Sequence, residues 1–396
     1  MSFLSIFFSS AFFLATVFWP FSPLRSEEIK KTQLEIPADL RPYQILRVLV
    51  NQDIKELMIE IDAAYDVYDG EGRFLFSGSK MESTAVTALD AKIKLGPQFF
   101  SRLPITVHTK SGVIKAGKRS YRGGLTFWPD TGGEMAVINE INIEDYLRGV
   151  LPWEASPKWA IEALKAQAVA SRTYALFQAI DRADELFDLY SGVASQVYKG
   201  QGIENRETDL AIADTKGQIL SYNGKIFSAF YHSTCGGATT RAEAALKVEP
   251  HPVLQGVTCG FCRSSKHYRW SDQISEPEIL KAIGAHGYKF PSLDRFEGIN
   301  PDASGRFQQF LVGSGGQSAT IRSNDFRLWM GPEKLKSTKI TSIQRQGSEF
   351  AIQGHGWGHG VGVCQYGMKN LAELGYTYRQ ILDYYYPGSY IVNTDR

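Results

Sequence analysis

From Pro157 to about Phe177 the chain is dominated by good helix formers, and Ile161, Leu164, Ala168, Ser171 and Ala175 recur at helical spacing on one face. One long helix with a buried face is expected here, and the rest of the fold has to pack around it. Ser156 followed by Pro157 reads as an N-cap with proline at the first helical position, and Leu151-Pro152-Trp153 ahead of it reads as extended. The helix is therefore expected to begin just after Glu154. Lys158, Lys165 and Arg172 recur every seven residues, about 20° apart around the axis after two turns, and form a basic stripe. Proximity to a helix N-terminus favours the charged form of Glu154, whereas burial against Trp153 and Trp159 favours the protonated form. Either state bears on acid chemistry. The plainer reading is a surface acid ahead of a helix whose stripe faces water.

The chain has 396 residues, 43% hydrophobic and 21% charged, with a formal net charge of +1. These values are those of an ordinary globular protein with room for two domains, and they exclude a disordered chain. Near-neutral charge also speaks against nucleic acid as a partner.

Phe3 to Trp19 is an uncharged, Phe-rich apolar run followed by Pro20, Pro23 and Arg25. Residues 1–26 read as an export segment, either a cleaved signal peptide or an N-terminal anchor, which implies a periplasmic or cell-envelope location. Its n-region carries no Lys or Arg, and the run is shorter than the roughly 20 residues of a spanning helix. Residues 27–45 read as a polar linker. Residues 46–135 show short alternating runs such as Leu57-Met58-Ile59-Glu60-Ile61, separated by turns at Asp69-Gly70, Ser111-Gly112 and Gly132-Gly133, and are expected to be mainly antiparallel β. Residues 136–396 mix helices and strands. The helices are expected at 157–177, 204–216, 276–283, 370–375 and 378–386, an irregular loop is expected up to Gly305, and a β-rich stretch at 307–352. The fold class is α+β.

Four cysteines, at 235, 259, 262 and 364, are too few for a disulfide framework in a chain of this size. Cys259-Gly260-Phe261-Cys262 is a C-x-x-C knuckle, with Cys235 upstream and His267 shortly after. Cys235, Cys259, Cys262 and His267 would suffice for a tetrahedral structural zinc, with His232 as an alternative nitrogen ligand. A disulfide with a leftover thiol is the competing reading. Cys364 reads as a buried free thiol, since no acid–base partner is fixed beside it in sequence.

Gly354-His355-Gly356-Trp357-Gly358-His359-Gly360-Val361-Gly362 is too rich in glycine for a regular element. It suits a loop lying close against a ligand or another stretch of chain. His355 and His359 share a face only in a helix, which the glycines oppose, so a metal there is not expected.

Three separated stretches stand out together: Leu147 to Glu154 with Ala163 to Ala175; Ser195-Gln196-Val197-Tyr198 with His232 to Cys235; and Gly356 to Gly362 with Gln365-Tyr366-Gly367 and Tyr385-Tyr386-Pro387-Gly388. In order and spacing they resemble the SpoIID/LytB family of peptidoglycan-acting proteins. The resemblance spans roughly Leu46 to Tyr390 and is specific from Asn139 onward. It implies a lytic transglycosylase that cuts glycan between N-acetylmuramic acid (MurNAc) and N-acetylglucosamine (GlcNAc), leaving a 1,6-anhydro sugar. Glu154 then corresponds to the family's catalytic glutamate, acting as acid and base in turn. Glu144, Asp145 and Glu162 are the nearby carboxylates that a two-carboxylate hydrolase would need. The resemblance also implies Lys165 and Arg172 as groove residues, and Gln196, Tyr198, His359, Gln365 and Tyr366 as sugar-binding groups. The partners it implies are peptidoglycan glycan strands, or, from the LytB side, a cell-wall amidase activated by a non-catalytic glycan binder. Two positions depart from the family pattern: Ala238 stands where a histidine often follows the Gly-Gly pair, and Cys364 stands where a small hydroxylated residue usually precedes glutamine.

Overall fold

The computed structural model describes residues 29–394, so the export segment expected at residues 1–26 lies outside the described residues. The chain is α+β, 24% helix and 37% strand. Among the described residues no helix is long and apolar enough to cross a membrane.

The N-terminal part is built from alternating strands. Ile105–Thr109 buries Ile105, Val107 and Thr109, and Ile114–Ala116 buries Ile114 and Ala116 while Lys115 faces out. Two sheets form from such strands, one of six strands and one of seven, and the apolar residues of both enter a single core. Met135–Asn142, an inner strand of the larger sheet, pairs with Ile45–Ile54 on one side and Gly124–Pro129 on the other. It delivers the chain directly to helix α1 (Ile143–Arg148), whose N-cap Asn142 accepts from the Glu144 amide.

A short helix, α2 (Leu151–Glu154), follows where an extended segment was expected, and Glu154 is its last residue. The long helix α3 (Ile161–Asp181) begins later than Ser156. Ser156 instead organises a turn: its carbonyl accepts from the Trp159 amide at 2.9 Å and its hydroxyl from the Lys158 amide at 3.4 Å. The expected buried face holds at Leu164, Ala168, Ser171 and Ala175, whereas Ile161, in the first turn, is exposed. The other faces of α3 are buried as well, because the core shared by the two sheets covers one side and a second core, including Ala163, Ala166, Val169 and Ala170, covers another.

Helix α4 (Arg206–Asp214) falls within the stretch expected to be helical. Gln218–Tyr222 then packs on α3, with the Leu220 amide donating to Thr173 Oγ1. It lies in a four-stranded sheet with Lys225–Phe227, Gln33–Glu35 and Tyr390–Asn393. Gln33–Glu35, in the stretch read as a linker, is thus a paired strand.

After the short helix α5 (Ala242–Ala245) comes a region with its own core. It contains α6 (Glu276–Gly284), whose capping box joins Ser275 and Glu278, and α7 (Ser323–Met330), which lies in the stretch expected to be β-rich. Arg295–Pro301, expected to be irregular, is a strand paired with Phe307–Ser314. Phe296, Phe310, Phe326 and Phe350 pack ring to ring in this core. The region is closed by pairing of Arg269–Ser275 with Glu349–His355, in which Arg269 faces His355. That closure sets the cysteine knuckle beside the glycine-rich loop. The chain ends in α8 (Gln365–Glu373) and α9 (Tyr378–Tyr385), which pack in the second core.

Candidate functional site

Gly356, Gly358, Gly360 and Gly362 all have positive φ. The close approach they allow is to the chain itself: a Cβ on Gly362 would lie 1.9 Å from the Phe230 carbonyl oxygen, and one on Gly356 would lie 2.5 Å from that of Thr234. Tyr231-His232 pairs in parallel with Val363-Cys364, and Thr234 bridges to Trp357. The loop thereby fixes the start of α8, and with it Gln365.

Gln365 Nε2 donates to Glu154 Oε2 at 3.3 Å, and the Val197 amide donates to Oε1 at 3.2 Å. Glu154 is partly buried, enclosed on most sides but reaching solvent. Burial raises its pKa above the ordinary carboxylate value, and the two hydrogen bonds, which favour the ionised form, pull it back. A carboxyl balanced in this way can hold a proton and release it.

Beneath it runs a chain of polar contacts. Gln365 also donates to Gln167 Oε1 at 3.4 Å, Gln167 donates to Ser171 Oγ at 3.0 Å, and Gln196 donates to the Ser171 carbonyl at 3.3 Å and to the Tyr231 hydroxyl at 2.9 Å. Tyr146 donates to Gln196 Oε1 at 3.1 Å. Tyr146, Tyr174 and Tyr231 are raised in pKa, first by burial and further by the Glu154 charge, Tyr174 to about 12. They stay protonated and neutral near the carboxyl. Gln167, Tyr146, Tyr174 and Tyr231 escaped the sequence reading, although Tyr174 stands in the signature helix and Tyr231 precedes His232.

The three other carboxylates considered are engaged elsewhere. Glu144 takes a bidentate pair from Arg172 at 2.9 and 2.7 Å, Asp145 lies 3.7 Å from Arg148, and Glu162 accepts from the Tyr378 amide at 2.7 Å.

Several expected groove residues occupy supporting positions. Arg172 is 1% exposed and, besides Glu144, donates to the Gln218 and Ile212 carbonyls. Its place on α3 points it into the junction with α1 and the following strand, not toward a groove. Lys165 pairs with Asp214 at 2.9 Å and Glu162 at 3.7 Å. Tyr198 is 1% exposed and its hydroxyl donates to Asn139 at 2.8 Å, so its ring faces cannot carry a sugar. Gln196 is equally buried and serves the network just described. His359 donates from Nε2 to the Tyr231 carbonyl and accepts from the Val361 amide at Nδ1. Burial depresses its pKa to about 3, so it is a neutral brace of the loop. Tyr366 is partly exposed and packs edge-on against Trp159 at 5.7 Å.

The cysteines converge, with one change from the expected set. The sulfurs of Cys235, Cys259, Cys262 and Cys364 all lie within 4.8 Å of one another, and all four residues are buried. Cys235 Sγ and Cys262 Sγ are 3.4 Å apart. Tetrahedral zinc with bonds of about 2.3 Å separates its sulfurs by about 3.8 Å, so the donor set fits. His267 is not among the converging groups; its ring lies edge-on against Trp357 at 4.0 Å. Cys364 takes the fourth place because the parallel pairing of residues 231–232 with 363–364 sets its sulfur where it accepts from the Cys235 amide at 3.2 Å. His232 Nδ1 bonds the Val361 carbonyl, and that residue lies outside the cluster.

The family model described as Stage II sporulation protein, SpoIID, matches residues 131–222, which contain Glu154 and the long helix. The chain belongs to the SpoIID/LytB family. A domain of unknown function, DUF8618, matches residues 247–362 and takes in the third core. An uncharacterized protein of Brachyspira hyodysenteriae is 34% identical over 89% of this chain and 94% of its own length. The amidase enhancer of Bacillus subtilis is 30% identical over 61% of this chain, which spans only 40% of that protein. Stage II sporulation protein D of the same organism is 29% identical over 65% of this chain and 76% of its own.

Proposed function

We propose that this SpoIID/LytB family member acts on the cell wall as an exported peptidoglycan lytic transglycosylase. The observation that carries the reading is a single carboxyl, Glu154, partly buried and raised in pKa, with Glu144, Asp145 and Glu162 tied into other contacts. The protonated Glu154 donates to the glycosidic oxygen, and the bond from that oxygen to the MurNAc anomeric carbon breaks. The GlcNAc leaves as an alcohol. The resulting carboxylate, held by the Val197 amide and Gln365, takes the proton of the muramyl 6-hydroxyl as that oxygen bonds the anomeric carbon. The 1,6-anhydro ring closes, Glu154 is again protonated, and no water is consumed.

To the four sulfurs we assign a structural zinc, held by Cys235, Cys259, Cys262 and Cys364. Four protein ligands leave no open position, and such an ion would tie the glycine-rich loop, the knuckle and the strand end at Tyr231-His232 together.

The reading is tested by incubating purified glycan strands with the full chain and searching the products for anhydro-muramic ends by mass spectrometry. Wild type is expected to yield them and Glu154→Gln to yield none. Relatedness to a protein named amidase enhancer supports a second reading, a non-catalytic glycan binder that stimulates a cell-wall amidase. Unchanged glycan, together with faster amidase turnover on whole peptidoglycan when the chain is added, would favour it.

A further inference from the structure

One short extended segment grips both residues at the end of α2. The Val197 amide holds the Glu154 carboxyl, and two residues later the Lys199 ammonium lies 4.6 Å from the centre of the Trp153 ring. Between them Tyr198 points the other way, into the core, with its hydroxyl on Asn139. Burial alternates here, with Gln196 and Tyr198 buried and Val197 and Lys199 partly exposed, and Lys199 turns outward on the same side as Trp153. Its position is firmly set: the Lys199 amide donates to the Gly149 carbonyl at 3.0 Å, and Gly149 has no room for a side chain because a Cβ there would lie 2.4 Å from the Tyr198 ring. Trp153 is nonetheless 59% exposed, so the ammonium leaves much of the indole open. The result is an open aromatic surface and a cation, fixed beside the proton-transfer group by the same backbone that orients it.

Aromatic surfaces carry the apolar faces of pyranose rings, and an ammonium beside one selects for a negative substituent. We propose that Trp153 and Lys199 form a subsite for a glycan residue bearing a carboxylate, with the sugar packed on the indole and the carboxylate paired with Lys199. The carboxylate is either part of the sugar's own substituent or borne by an attached peptide. The subsite rests on the reading of Glu154 as a glycan-cleaving group, and it adds to that reading a preference for acidic sugars adjoining the scissile bond.

The test is calorimetric binding to the full chain carrying Glu154→Gln, which prevents turnover. Three probes are used: chitotetraose, which has no carboxylate; a peptide-free GlcNAc–MurNAc tetrasaccharide; and the same tetrasaccharide with stem peptides. Lys199→Gln is expected to weaken binding of a carboxylated probe about tenfold, the worth of one charge-assisted hydrogen bond, and to leave chitotetraose unchanged. Trp153→Ala should weaken all three, and Trp153→Phe should restore most of that loss. A Lys199-dependent advantage for the peptide-free probe assigns the carboxylate to the sugar, and one confined to the peptide-bearing probe assigns it to the peptide; both sustain the subsite. Binding that responds to neither Lys199→Gln nor Trp153→Ala overturns the subsite and leaves the reading of Glu154 standing. Failure of all three probes to bind overturns both.

Discussion

Gln365 Nε2 donates to Glu154 Oε2 at 3.3 Å across 211 residues of chain. The contact joins the end of α2 to the start of α8, and it exists because the glycine-rich loop before Gln365 is packed against the strand end at Tyr231-His232. The bond favours the ionised carboxyl, so it opposes the effect of burial on Glu154.

Gln365→Leu removes that donor and should raise the Glu154 pKa further. A general acid stays protonated to higher pH when its pKa rises, so the alkaline limb of the rate profile for glycan cleavage should move to higher pH. The profile of the variant against wild type checks this. Loss of the contact to Gln167 should also lower stability by about 1 kcal/mol, measurable by urea unfolding.

Glu154→Gln should stabilise the fold at neutral pH while abolishing cleavage. With its folded pKa raised above the unfolded value, Glu154 binds its proton more tightly in the folded state. That stabilisation is fully present below the unfolded pKa and is lost as pH rises through the folded one. The variant should therefore melt higher than wild type at pH 7, and the gap should close toward about pH 4. Melting curves of the pair across that range provide the check.

Arg172 should behave as a structural residue. Arg172→Ala leaves Glu144 partly buried without its partner, and losing one member of a buried pair costs about 3–5 kcal/mol. Whatever fraction of the variant folds is expected to keep the wild-type KM for glycan, because the guanidinium faces Glu144 and backbone carbonyls. A raised KM with normal stability would put Arg172 back in the groove.

Metal content should depend on Cys364 and not on His267. Cys364→Ser is expected to lower bound zinc, measured by elemental mass spectrometry, and to lower the melting temperature alongside it. His267→Ala should keep its metal, losing only the contact with Trp357.

The long helix and its signature were readable in the sequence because periodicity and local motifs encode them, whereas the short helix that ends in Glu154 was not. The start of α3 was not either, since Ser156 caps a turn instead of the helix, and Trp159, whose amide closes that turn, packs against both cores. Pairing across distance was also hidden: nothing near Arg172 in sequence announces Glu144, and Cys364 joins the other thiols only through a parallel pairing of two short strands. The strand Arg295–Pro301 went unseen because it is only partly buried, with Phe296 its single fully buried side chain, which leaves little alternation to read.

The central claim, a single carboxyl acting without water, is tested most directly by digesting purified glycan strands in water enriched in heavy oxygen and weighing the new muramyl ends. The account predicts ends lighter by one water than a hydrolytic product, free of solvent oxygen, and absent with Glu154→Gln. Muramyl ends carrying solvent oxygen, or anhydro ends released by Glu154→Gln at the wild-type rate, would contradict it.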